Sequence, residues 1–335
     1  MTPPRWTLAL ENGELAWPSA GRGLVLRAHA EADFAALGPE RLVAVQGFAP
    51  AHERLVTRGL TVQMVPDDDY AAALVQIVKS KAETLSLVAE ALDHVPPGGL
   101  VAVDGQKDEG IESILKAVKR HLPVDGVLSK SHGKLFWLTR PNTLPEAVMG
   151  WRATPEPNAD GFITSAGMFS PDGADQGSEL LVALVPQLGG RVADLGAGWG
   201  YMSAVLLDEQ DSIAALDLVE ADWAALEAAR VNVNDPRAAF HWADAESFAP
   251  EAPYDAIISN PPFHAGRAAD PALGQGFIAA AARMLKRSGQ FFMVANRHLP
   301  YEATLKAHFG TGTLLAEIAG YKLYQAGKPK GAPRG

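Results

Sequence analysis

From Gly189 onward, apolar runs of strand length alternate with segments whose apolar residues recur at helical spacing. The runs are VADLG (192–196), AALDLVE (214–220), YDAIISN (254–260), GQFFMVAN (289–296) and a final short YKLYQA (321–326). Between them MSAVLL (202–207), DWAALEAARVNV (222–233) and GFIAAAARML (276–285) are rich in Ala and Leu and predict helices, with Asp222 placed to cap the second. Strand, Gly-rich turn, helix and strand again is the order of an α/β fold with a parallel sheet and crossover helices.

The first half carries an echo of this pattern. PPGGLVAVDGQKDEGIESILKA (96–117) overlays PQLGGRVADLGAGWGYMSAVLL (186–207) with Gly98 and Gly99 on Gly189 and Gly190 and one indel just before. Val103 then falls on Asp194, Gly105 on Gly196, Lys107 on Gly198 and Glu109 on Gly200. The overlay predicts a duplicated fold whose first copy has exchanged its permissive glycines for charged side chains. A proline-rich polar stretch (140–161) separates the halves, and the division is set at 1–145, a linker over 146–165, and 166–335.

Composition narrows the classes. At 335 residues, 47% hydrophobic and 20% charged, the chain suits two soluble globular domains. No apolar run is long enough to span a bilayer, and the opening MTPPRWTLALENGELAWP has no export signature, so the cytoplasm is expected. The absence of cysteine excludes disulfides, thiolate metal sites and thiolate nucleophiles. A net charge of −10 argues against bulk polyanion binding. Residues 107–140 nevertheless hold seven Lys or Arg against four Asp or Glu, a candidate basic face on the first domain.

VADLGAGWGYMS sets Gly196, Gly198 and Gly200 between a strand and a helix N-terminus, where backbone amides face a ligand. Tyr201 occupies the position where a dinucleotide-binding turn would carry a further glycine, which disfavours a nicotinamide cofactor. Asp194 suits a ligand with a cationic amino group and no phosphates. Glu220, at a strand end, is placed to accept from both hydroxyls of a ribose, with Asp217 as its rival; Asp244 follows the next strand, positioned for an adenine amine.

Ser259-Asn260-Pro261-Pro262-Phe263-His264 is the most specific signal. Two prolines fix the backbone, so the Asn260 side chain and the Pro261 carbonyl become two rigid acceptors, and Phe263 offers a stacking face. An amine conjugated with a ring is a poor nucleophile. Holding its two hydrogens aims the nitrogen lone pair, which is catalysis by positioning.

Asn260-Pro261-Pro262-Phe263 resembles the acceptor motif of class I amino-group methyltransferases. GMFSPDGADQGSELL (167–181), SNPPFHAG (259–266) and VANRHLPYEATLKAHFG (294–310) with YKLY extend the likeness over Gly167–Ala326 to the bacterial ribosomal RNA guanine-N2 methyltransferases of the RsmC and RlmG type, which carry a methyltransferase small domain. KSKAETLSLVAEAL (79–92) and the stretch through HGKLFW (132–137) are similar to that family's first, degenerate domain.

The resemblance implies two tandem Rossmann-like domains, the second with a seven-stranded, mostly parallel sheet. It implies S-adenosylmethionine as methyl donor and the N2 amine of a guanine in ribosomal RNA, most naturally 16S RNA in the small subunit, as acceptor. Phe169, Asp175 and Gly177 would line the cofactor pocket with Asp194, Gly196, Gly198, Gly200, Glu220, Asp244 and Asn260, while Asn260, Pro261, Pro262 and Phe263 form the catalytic motif. His264, Arg267, Lys116, Lys119, Lys130 and Lys134 are candidate RNA contacts. No metal is expected, and a monomer acting on an assembled ribosomal subunit reconciles the acidic charge with an RNA substrate. Adenine-N6 or protein-glutamine methylation, and a non-catalytic RNA-binding assembly protein with this fold, are the alternatives.

Overall fold

The computed structural model describes residues 3–67, 69–262 and 271–330. Backbone contacts divide the chain into two compact units, Met1–Thr154 with Ser165–Gly167, and Pro155–Thr164 with Met168–Gly335.

The first unit contains the strands β1 (Gly23–Leu26), β2 (Leu42–Val45), β3 (Thr61–Gln63), β4 (Ala72–Gln76), β5 (Leu100–Gln106), β6 (Gly126–Lys130) and β7 (Gly133–Thr139). Its helices are α1 (Arg5–Glu11), α2 (Ala49–Thr57), α3 (Lys81–His94), α4 (Ile111–Lys119) and α5 (Glu146–Met149). The second has a short hairpin, β8 (Glu156–Pro157) with β9 (Ile163–Thr164), and the strands β10 (Gly190–Leu195), β11 (Ile213–Glu220), β12 (Ala238–Trp242), β13 (Tyr254–Ser259), β14 (Leu285–Asn296), β15 (Phe309–Ile318) and β16 (Tyr321–Pro329). Its helices are α6 (Gln176–Leu184), α7 (Tyr201–Glu209), α8 (Trp223–Asn232), α9 (Pro271–Met284) and α10 (Glu302–His308).

Both seven-stranded sheets have the same order, β3-β2-β1-β4-β5-β7-β6 and β12-β11-β10-β13-β14-β16-β15, parallel except for the pairings of β7 and of β16. Helices cover both faces, so the central strands read as unbroken apolar runs. In the second unit Phe291 and Met293 face a core shared with α9 and α10, and Phe292 and Val294 face one shared with α6, α7 and α8. Helix starts are chemically marked: Ser80 caps α3 by accepting from Glu83 N (3.2 Å), and Asp222 caps α8 through Ala224 N and Ala225 N. Each closing hairpin turns on two residues of positive φ, Ser131-His132 and Ala319-Gly320, whose twist matches that of the paired strands.

The duplication is therefore of the whole fold, but the sequence overlay was out of register. Strand order sets β5 on β14, not on β10; the strand equivalent to β10 is β1. Leu26 pairs with Val45 as Leu195 pairs with Val219, and Ala28 N and Ala197 N each donate to the carbonyl of that partner (both 3.2 Å). Val25 thus stands for Asp194, Arg27 (φ 53) for Gly196 (φ 73), His29 for Gly198, Gln46 for Glu220 and Gln76 for Asn260. The loop of the first copy is closed by its own side chains. Arg27 is bonded to Glu83, Gln46 Nε2 donates to Ala28 O (2.8 Å), and His29 N donates to Gln76 Oε1 (2.7 Å). Lys107 and Glu109 instead flank the turn after β5, where Glu109 accepts from Gln106 N (2.8 Å).

Residues 146–165 are not a bare tether either. Val148 of α5 is buried in the first core with Trp151 packed against it, Arg152 is bonded to Asp93, and 156–164 form the β8–β9 hairpin of the second unit. Apolar residues among the prolines found partners that composition could not reveal.

Candidate active site

After β10 the backbone passes through Gly196 (φ 73), Gly198 (φ 57) and Gly200 (φ 89) into α7. The three glycines answer different needs. A Cβ on Gly198 would meet nothing within 4 Å among the described residues, so that residue borders open space between them. A Cβ on Gly200 would lie 2.8 Å from Val233 Cγ2 and 3.2 Å from Ala229 Cβ, so Gly200 serves the packing of α7 on α8. Gly196 N and Ala197 N both donate to Val219 O (2.8 and 3.2 Å), and Gly198 N donates to Glu220 Oε2 (2.8 Å).

Trp199 and Asn232, which sequence reasoning passed over, anchor this loop. Buried Trp199 donates from Nε1 to Phe169 O (2.8 Å), and its ring packs with those of Phe162 and Tyr201. Asn232 Nδ2 donates to Trp199 O (2.8 Å) and Ile163 O (2.9 Å). The indole and amide types at these positions signal buried bonding, but only the fold supplies the partners. Phe169 is left 56% exposed, at the edge of a cleft it forms with Asp175, Ser178, Gly198, Tyr201 and Asn260.

Of the three strand-end carboxylates, Asp194 is wholly enclosed beneath the loop. Its Oδ2 accepts from Ser203 Oγ (2.8 Å), and its Oδ1 has no hydrogen-bond partner among the described residues. Burial pushes its pKa up to about 7; the Ser203 bond opposes the shift and the charge of Glu220 adds to it. Glu220 ends β11, with Oε1 accepting from Asp222 N and Oε2 from Gly198 N (both 2.8 Å). Loss of water raises its pKa against those amide bonds. Its rival Asp217 is taken up elsewhere, in bonds from Tyr254 Oη (2.6 Å) and Arg191 (2.8 Å) beside His241. Asp244 lies just past β12, half-buried, its Oδ1 accepting from Glu246 N (3.0 Å).

Asn260 follows β13 directly. Ser259 Oγ donates to Leu195 O (2.7 Å), which pins the end of β13 to the start of the glycine loop. Asn260 Nδ2 donates to Asp175 Oδ2 and to Ser178 Oγ (both 2.9 Å). Asp175 is also the N-cap of α6, accepting from Ser178 N (3.1 Å). Gly177 is a packing glycine, since a Cβ there would sit 2.8 Å from Tyr321 Cε1. Pro261 is buried and Pro262 exposed, while Phe263, His264 and Arg267 lie outside the described residues. Ser178 and Tyr321 were given no role from sequence, and Ser259, though part of the acceptor motif, was given none of its own, because a serine or tyrosine declares a role only through its neighbours.

The candidate RNA lysines belong to the first unit. Lys116 and Lys119 are exposed on α4, Lys130 is exposed at the end of β6, and Lys134 on β7 donates to Ser129 Oγ (3.0 Å) within 3.7 Å of Glu112. Among the described residues no group of three or more His, Asp or Glu could hold a metal ion, and no helix is long and apolar enough to cross a membrane.

The cleft thus joins an open glycine loop and a polar acceptor on an adjacent strand, an arrangement for binding one ligand beside another. Comparison with known proteins agrees. Residues 160–325 match the methyltransferase small domain. Ribosomal RNA small subunit methyltransferase C of Shewanella sp. (strain MR-4) is 34% identical over 78% of this chain and 78% of its own, and that of Shewanella pealeana is 32% identical over 78% and 79%. The T. thermophilus 16S rRNA N2 methyltransferase RsmC, solved with AdoMet and guanosine, shares the fold with a TM-score of 0.77 at 23% identity, over 93% of this chain and 90% of that one. On its sequence likeness to these enzymes, extending beyond the catalytic unit, the chain is a methyltransferase and belongs to the ribosomal RNA small subunit methyltransferase C family.

Proposed function

We propose that the protein transfers a methyl group from S-adenosylmethionine to the N2 amine of a guanine in small-subunit ribosomal RNA. The observation that carries this reading is that Asn260 and the open backbone at Gly198 line one cleft, with Ser259 tying their strands together. The residues suit the donor. Gly198 leaves room at the loop, Glu220 stands at the strand end with its carboxylate beside that loop, and Phe169 offers an exposed aromatic face. Asp194 places a buried acid beneath it, where a cationic amino group would favour the ionised form. Gly196, Gly198, Glu220, Asp244 and Phe169 are assigned to contact with the donor, Asp175 to the cleft wall beside Asn260, and Gly177 and Gly200 to the packing that shapes the pocket.

Bound S-adenosylmethionine supplies a methyl group on a positively charged sulfur. The chain supplies position. The Asn260 side-chain oxygen and the Pro261 carbonyl accept from the two hydrogens of the guanine amine, which draws the nitrogen lone pair out of conjugation and toward the donor. The methylated nitrogen carries the surplus proton, still hydrogen-bonded to one of these oxygens, until the proton passes to water. An amine lone pair needs no prior deprotonation, so no metal is invoked. The first unit is assigned to holding RNA through Lys116, Lys119 and Lys130. An assembled small subunit is the substrate favoured by a chain of net charge −10, because many weak contacts are then shared. The protein is taken to act in the cytoplasm as a monomer.

The test is methyl transfer from labelled cofactor to small subunits isolated from a strain lacking the gene, followed by nucleoside analysis. N2-methylguanosine is expected. N6-methyladenosine would transfer the case to an adenine acceptor, and absence of product on any subunit would favour a non-catalytic role.

A further inference from the structure

We infer that Asp175 and Ser178 are positioning residues for Asn260, fixing which end of its side-chain amide faces the acceptor amine. The inference rests on the reading of Asn260 as an acceptor for that amine. Both hydrogens of Asn260 Nδ2 are engaged, by Asp175 Oδ2 and Ser178 Oγ, each at 2.9 Å. An ionised carboxylate only accepts, so the amide oxygen cannot replace the nitrogen beside Asp175 without opposing two acceptors. The carbonyl oxygen is therefore the end turned away from the pair. The reversed amide would present an N–H to an amine that is itself a donor, so a turn of the side chain loses one hydrogen bond at each end.

The pair is itself firmly held. Asp175 Oδ2 also accepts from Ser178 N (3.1 Å) at the start of α6. Gly177 leaves the space that the Tyr321 ring fills, and Ser178 and Leu181 are buried. Asp175, which family likeness gives to the cofactor pocket, thus acts on the acceptor side through Asn260.

Asp175→Ser separates this role from helix capping, because serine is also a good N-cap but is shorter and can donate as well as accept. The expected result is a kcat about 10–100-fold below the parent, in the range of a misplaced reacting group, with cofactor affinity by calorimetry within about threefold. Asp175→Asn, which keeps length and one acceptor oxygen, should recover most of the loss. In the Asn260→Ala background Asp175→Ser should change kcat by less than about twofold, since it acts only through the missing amide. A parental kcat for Asp175→Ser overturns the inference. So does a rise in cofactor Kd that accounts for the whole loss, or a full multiplicative loss in the double variant. Retention of rate by Asn260→Ala alone would instead overturn the reading of Asn260, and with it this inference. Ser178→Ala, which leaves Asp175 in place, should lower kcat by less than Asp175→Ser does; an equal or larger fall without a change in cofactor affinity would shift the orienting role from the carboxylate to the hydroxyl and refute the inference as stated.

Discussion

Gly198 and Gly200 are two residues apart with positive φ, yet the same substitution should have opposite effects at the two positions. At Gly198 an added methyl meets nothing within 4 Å among the described residues, so Gly198→Ala should cost the fold only the strain of a left-handed residue, about 1–2 kcal/mol. The methyl would instead stand in the space assigned to the cofactor. If crowding there costs what overpacking costs in a core, about 1–3 kcal/mol, cofactor affinity should fall about 5–150-fold. At Gly200 the methyl would approach Val233 Cγ2 to 2.8 Å and Ala229 Cβ to 3.2 Å. Overpacking then adds to strain, and Gly200→Ala should lose about 2–5 kcal/mol of stability, with weaker cofactor binding only as far as unfolding explains it. Denaturant unfolding and calorimetric cofactor titration of the two variants under one set of conditions give both quantities. Equal losses of affinity in two equally folded variants would refute the division of labour within the loop.

Asp194 should make the second unit pH-sensitive. Its folded pKa of about 7 lies above the ordinary 3.8, so the protonated form is favoured by folding; stability is fully present below about pH 4, declines as pH rises to about 7, and is flat beyond. The window is worth on the order of 4 kcal/mol, and Asp194→Asn should remove the slope; denaturant unfolding of both proteins across it would contradict the assignment if their difference stayed constant with pH. Asn260→Asp would place a second carboxyl 2.9 Å from Asp175 Oδ2, so the two should share a proton and activity should fall as pH rises and that proton is lost, whereas a parental pH–rate profile would refute the contact. Reversing Lys116, Lys119 and Lys130 to Glu should weaken subunit binding and reduce the salt slope of log K by roughly 0.7–0.9 for each phosphate no longer neutralised, leaving cofactor affinity intact; an unchanged slope returns them to ordinary surface.

The sequence made legible what depends on short spacing. β10, the glycine loop, Asn260 with its prolines and the Asp222 cap are each set by residues a few positions apart, and each lies where the pattern placed it. What failed depended on partners distant in sequence. The β5 segment mimics β10 because each has a pair of glycines at its start and another glycine six residues on, and only pairing with β4 and β7 gives its place. β15 was missed because its exposed residues show no apolar alternation, and its turn uses Ala319-Gly320 without asparagine or aspartate. Ser178 was unreadable for the same reason: its meaning lies in Asn260, 82 residues away.

The central claim is that Asn260 orients a guanine amine for methyl transfer, and the most direct measurement compares parent and Asn260→Ala on small subunits from a strain lacking the gene. Cofactor titration on the same preparations establishes that the pocket is intact. The account predicts N2-methylguanosine with the parent and a rate lower by about 100-fold or more with the variant, at unchanged cofactor affinity. An Asn260→Ala protein that forms N2-methylguanosine at the parental rate would contradict it.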